Sequence, residues 1–157
     1  QLVPCVLPDP VPVRLVGYFQ PNDEEIARIN AALQTPARTE KNRHGVEIRP
    51  WAVVRLRFRP TDRDLHPAVI VSNEEYCSDE RILRVNVLHG KKVSPGSPAR
   101  AHQVLLNGAD GLDFLTAINC GYVYGVAKDD LVAQLGTVGV ERRRMLKRKI
   151  IEVLRLL

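Results

Sequence analysis

At 157 residues and 45% hydrophobic composition, the chain has room for one domain with a real core, which excludes wholesale disorder. No apolar run approaches the ~18 residues of a membrane span, and residues 1–12 carry four prolines without a basic leader, so no signal peptide is expected. The net charge of +5, from 23 Lys and Arg against 18 Asp and Glu, favours polyanionic partners.

Cys5, Cys77 and Cys120 are odd in number and contain no Cys-x-x-Cys pair. That argues against a zinc centre or a disulfide framework and suits a reducing cytoplasm. Cys120 falls in an apolar strand and reads as an inert core thiol.

Residues 1–47 read as an N-terminal extension. After a Pro-rich start, residues 13–19 offer a strand. Residues 22–34 offer a helix: Asn22 caps the free amides, Glu25 reaches back, and Ile26, Ile29 and Leu33 form one narrow apolar stripe. Residues 35–47 are polar and basic without periodicity and read as a linker.

Trp51 to Phe58 alternates, with Val54, Leu56 and Phe58 on one side and Arg55 and Arg57 on the other, as in a strand with one wet, basic face. After a turn over residues 59–65 comes His66-Pro67-Ala68-Val69-Ile70-Val71-Ser72-Asn73. Its consecutive apolar residues between turn formers predict a strand buried on both faces, with Pro67 at its start, where a ladder donor is dispensable. Residues 81–88 predict a third strand, 90–100 a loop holding Lys91 and Lys92, and 102–106 a fourth strand. A turn cluster follows at 107–111, then a strand over 116–126. Gly136 to Gly139 breaks the chain before a last helix striped by Leu146, Ile150, Val153, Leu154 and Leu157.

The block His66-Pro67-Ala68-Val69-Ile70-Val71-Ser72-Asn73 resembles the Arg-Pro-Ala-Leu-Val-Val-Ser-Asn core of MazF/PemK-type toxins. In the same order follow Val85-Asn86-Val87-Leu88-His89-Gly90 with Ala101-His102-Gln103-Val104-Leu105. Then come Gly111-Leu112, Thr116 to Cys120, Lys128-Asp129-Asp130-Leu131 and Leu135-Gly136-Thr137-Val138. The resemblance spans residues 48–157. It implies a mainly β (α+β) chain: a small SH3-like CcdB/PemK barrel with a C-terminal helix, here carrying an N-terminal helical extension. It also implies a homodimer and a type II toxin that cuts single-stranded RNA without a metal or other cofactor and is opposed by an acidic antitoxin. The family's Arg before Pro is His66 here, its Thr or Ser at the third-strand tip is Leu88 or His89, and its Gln-Ile-Arg is Tyr122-Val123-Tyr124. These departures leave an alternative, a catalytically inactive module that binds nucleic acid or protein.

RNA cleavage without a metal needs a base for the 2′-hydroxyl, an acid for the leaving 5′-oxygen and a cation for the phosphate. Histidine titrates where it can do the first two; arginine does the third. His66 and His89 are therefore the expected proton-transfer pair, with Arg63, or Arg57 or Arg59, as the cation. Arg57, Arg59, Lys91 and Lys92 are expected to bind RNA phosphates, and Tyr122 and Tyr124 to stack on unpaired bases. A three-histidine metal site from His66, His89 and His102 is conceivable, but no spacing demands it. The basic run from Arg142 to Lys149 reads as the solvated face of the last helix or as a contact for RNA or an acidic antitoxin segment.

Overall fold

The computed structural model describes residues 40–156 together with Glu24. Apart from Glu24, which is helical, the strand expected over 13–19 and the helix expected over 22–34 lie outside the described residues. Residues 40–156 belong to one compact unit, Ala37–Leu157.

A short hairpin, β1 (Glu40–Lys41) and β2 (Glu47–Ile48), precedes a six-stranded antiparallel sheet. The sheet comprises β3 (Ala52–Leu56), β4 (His66–Ile70), β5 (Arg84–Lys92), β6 (Gln103–Leu106), β7 (Thr116–Ala127) and β8 (Leu131–Thr137), in spatial order β6-β7-β5-β4-β3-β8. Helix α1 (Glu74–Ser78) follows β4, and α2 (Val140–Leu154) ends the chain. The fold is thus mainly β with a C-terminal helix, as expected. Among the described residues no helix is long and apolar enough to cross a membrane.

Alternate residues of a strand face opposite sides, and here both sides are packed. Ala52, Val54, Leu56, Ala68, Ile70, Val85 and Val87 build one core. Val53, Val69, Leu88, Ile118 and Cys120 build the other, closed by Leu146 and Ile150 of α2. The expectation that β4 is buried on both faces holds. The wet second face expected of β3 does not: Val53 is buried in the second core, and Arg55 is half-buried beside Asp113. The covering helix supplies an apolar surface that Arg55 and Arg57 did not announce.

Three other expectations change. Residues 40–47 are no linker over their whole length, because Val46 and Ile48 of the hairpin are buried in the first core. Lys91 and Lys92 are not in a loop but end β5, paired with Ala117 and Thr116. Gly136 belongs to β8, and its lack of a side chain serves packing. A Cβ there would meet Gly111 Cα at 2.7 Å, and Gly111 itself has φ +88°.

Asp110 locks this corner. Its buried carboxylate accepts from the Asn107 amide at 3.2 Å and from the Gly139 amide, the cap of α2, at 2.9 Å. The apolar stripe of α2 holds through Leu146 and Ile150. Leu154 is 37% exposed because the helix outruns the core it covers, and Leu157 lies outside the described residues.

Candidate active site

The period of two carries the first core's face outward to a cluster of rings. Phe58 follows Leu56, His66 precedes Ala68, His89 follows Val87, and Tyr124 precedes Val126, each by two residues. Cross-strand register then brings them together: Leu56 pairs with His66, Ala68 with His89, and Val87 with Tyr124. Ring centroids lie 5.3 Å apart for His66 and His89, 4.7 Å for Phe58 and His89, and 5.1 Å for Phe58 and Tyr124. The rings and their neighbours Arg59 and Asp62 line an open cavity of about 230 Å³.

His89 occupies a break in the ladder. Between the pairs Leu88–Val123 and Gly90–Ile118, β5 has His89 alone while β7 runs through residues 119–122. Such an irregularity re-aims a side chain at the end of regular pairing. Next to it, Gly90 lets β5 approach β4 closely, since a Cβ there would stand 2.9 Å from the Pro67 carbonyl oxygen.

Asp62 stands between the turn and the histidines. Its Oδ2 accepts from the Arg59 amide at 3.0 Å and lies 4.0 Å from His66 Nε2. The Asp62 amide in turn donates to the Arg59 carbonyl at 3.0 Å, so the carboxylate sits on a hydrogen-bonded turn. Burial holds the His89 imidazole below its ordinary value, the neighbouring His66 and Lys91 charges add to this, and the Asp62 carboxylate opposes it. At neutral pH His89 is therefore a neutral imidazole, able to accept a proton.

Of the expected site residues, the structure brings together His66, His89, Arg59 and Tyr124. Arg63 is exposed on the turn and does not line the cavity; Arg59, three residues after the end of β3, holds that place. Arg57 lines an adjoining groove. Lys91 is exposed near His89, and Lys92 holds its ammonium 4.9 Å from the Phe114 ring centroid. Tyr122 is 65% exposed and stands apart from the cavity. The three-histidine metal site fails: among the described residues no group of three His, Cys, Asp or Glu side chains is arranged to hold a metal ion.

Sequence reasoning missed Asp62, and it placed Phe58 only as a strand residue. The signal for Asp62 was its spacing, three residues after Arg59 and four before His66. Cys77 and Cys120 are buried, and burial pushes both thiols up to about 11, so neither is a nucleophile here.

No protein-family model matches the chain, and no curated protein does. Solved structures do. A mycobacterial endoribonuclease in complex with its cognate antitoxin superposes with TM-score 0.57 at 18% identity, covering 69% of this chain and 96% of that one. A mycobacterial endoribonuclease superposes with TM-score 0.55 at 18% identity, covering 68% and 90%. The MazE–MazF structure (Form-III) from Deinococcus radiodurans gives TM-score 0.54 at 16% identity, covering 68% and 95%. With the sheet, the C-terminal helix and the order of its motifs, the chain carries a divergent MazF/PemK-like fold.

Proposed function

We propose that the chain is a MazF-like toxin that cleaves single-stranded RNA without a metal, using His66 where the family resemblance leads one to expect arginine and His89 near the position where it leads one to expect threonine or serine. The observation that carries this reading is the placement of His66 and His89 in one cavity, 5.3 Å between ring centroids, with Arg59 on its wall.

On this reading the two histidines take different roles. His89, kept neutral by burial, takes the proton of the 2′-hydroxyl as that oxygen attacks the adjacent phosphorus. His66, whose Nε2 faces the Asp62 carboxylate, gives a proton to the departing 5′-oxygen. The products are a 2′,3′-cyclic phosphate and a free 5′-hydroxyl. Two rings this close leave no space for a phosphate between their faces, so the phosphate bridges their outer edges, within reach of Arg59. The guanidinium there offsets the charge that builds in the transition state. Tyr124 and Phe58 offer aromatic surface to the bases beside the scissile bond.

The antitoxin bound by the mycobacterial structural relative supports an antitoxin as this chain's partner, and the net charge of +5 suits an acidic one. A homodimer and a cytoplasmic setting belong to the same reading. The test is cleavage of a mixed RNA pool in EDTA by the wild type, His66→Ala and His89→Ala. Activity that survives EDTA and is lost in both variants supports the proposal, and activity unchanged in both refutes it. RNA binding without cleavage by the wild type would select a silent binding module instead.

A further inference from the structure

A second groove, of about 580 Å³, adjoins the histidine cavity and shares Phe58 and Arg59 with it. Arg43, Arg57 and Arg59 line it, and so do Asp129 and Asp130. All five are exposed, and among the described residues none of their side chains is in an ion pair. Three guanidinium groups outside any ion pair, beside the histidine cavity, favour a polyanion. Two carboxylates in the same groove are not what a phosphate alone would select.

The arginine contributed by the hairpin is held in place by construction. Asn42 spends its whole side chain on the β1–β2 turn: Nδ2 donates to the Lys128 and Leu131 carbonyls at 2.7 Å each, and Oδ1 accepts from the His44 and Val46 amides at 3.0 Å each. Gly45, at φ +74°, closes the turn and donates to the Asn42 carbonyl at 2.9 Å. The turn is thereby fastened to the segment that carries Asp129 and Asp130. Arg43 Nε donates to His44 Nε2 at 3.1 Å, which orients the guanidinium.

We infer that this groove is a flanking-nucleotide subsite, in which the RNA backbone runs along Arg43, Arg57 and Arg59 and the bases turn toward Asp129 and Asp130. Guanidinium groups take phosphate oxygens. Carboxylates accept from the exocyclic amino groups of cytosine, adenine or guanine, which uracil lacks. The subsite therefore prefers amino-bearing bases next to the cleaved bond. The inference rests on the reading of the chain as an RNA-cleaving protein, and it makes the β1–β2 hairpin part of substrate recognition.

The experiment measures binding of 2′-O-methyl octamers of cytidine and of uridine to the full chain across a salt series. These probes cannot be cleaved. Arg43→Glu is expected to weaken binding of the cytidine octamer on the order of tenfold and to flatten the slope of log affinity against log salt by about 0.7 for each phosphate no longer neutralised. The wild type is expected to favour cytidine over uridine by about fivefold or more, and the Asp129→Ala, Asp130→Ala double variant to lose that preference. Unchanged affinity and slope in Arg43→Glu overturn the subsite, even if the protein cleaves RNA. If the protein cleaves nothing yet octamer binding depends on Arg43, the groove stands as an RNA-binding site and the catalytic reading falls. Arg43-dependent binding of oligoglutamate without binding of either octamer overturns it in favour of an acidic peptide.

Discussion

The imidazoles of His66 and His89 face each other at 5.3 Å and a 49° tilt because Ala68, two residues beyond His66 on β4, pairs directly with His89 on β5. In the proposed reaction one histidine takes the proton of the attacking oxygen and the other gives a proton to the leaving oxygen. Each single alanine variant is therefore expected to lower cleavage by about 10²–10⁴-fold, and the double variant little further, since groups acting as a unit are not additive. Single-turnover cleavage in EDTA, with circular dichroism as a check on folding, measures this. A double variant whose loss is the product of the two single losses would mean that the residues act separately.

Protonation of His89 links stability to pH. Its folded value lies below the ordinary 6.5 of the unfolded chain. As pH falls, the unfolded chain takes up the proton first. The associated stability is thus fully present above 6.5 and is lost as pH falls through the depressed folded value. Urea unfolding at about pH 7.5 and about pH 5 should show a smaller loss in His89→Gln than in the wild type. Equal losses would show that His89 does not report the coupling.

Asp62 is the cause that raises His89 toward its ordinary value. Replacing it by Asn is expected to move the acidic limb of the kcat/KM profile to lower pH, because the base stays neutral further into acid. A limb that moves upward, or stays put, would separate Asp62 from the histidine pair.

Gly90 is the spacing element beneath the site. Its Ala variant would bring a methyl group within 2.9 Å of the Pro67 carbonyl and 2.8 Å of Thr116 Cγ2. The backbone partner cannot swing away, so β5 must separate from β4 where His89 is mounted. The expected cost is about 1–3 kcal/mol in urea unfolding, with a larger proportional loss of cleavage, since a small displacement of a reacting group is costly. Full activity in Gly90→Ala would mean that the strand spacing tolerates the shift.

Lys128 is buried, and its Nζ donates at 2.9 Å to the carbonyls of Cys77 and Asp79 at the end of α1. Lys128→Met keeps the apolar stem but leaves those carbonyls without this donor. A loss of about 2–3 kcal/mol of stability in urea unfolding is expected. A variant as stable as the wild type would show that water replaces the ammonium without cost.

Residue chemistry alone is enough to read β4. Four apolar residues between Pro67 and Ser72 admit few structures other than a strand covered on both sides. The alternation through Leu56 and Phe58, and the ordered blocks from His66 to Val138, likewise point to the observed sheet and closing helix. The polar stretch at 40–47 carries no local sign of its order, which comes from Asn42 bonding to carbonyls far along the chain, at Lys128 and Leu131. Lys91 and Lys92 resemble loop residues because Gly90 looks like a break, whereas it is a place where two strands come unusually close.

What the sequence determined by itself was the strand beginning at His66, the alternating strand before it and the closing helix, since periodicity and turn formers act over a few neighbouring residues. What only the tertiary structure decided was the meeting of His66 with His89, the place of Arg59 rather than Arg63 on the cavity wall, and the entry of Asp62. These depend on cross-strand register, on how a turn folds back and on how much water is excluded. Such properties arise when distant segments pack and have no signature in any local stretch of the chain.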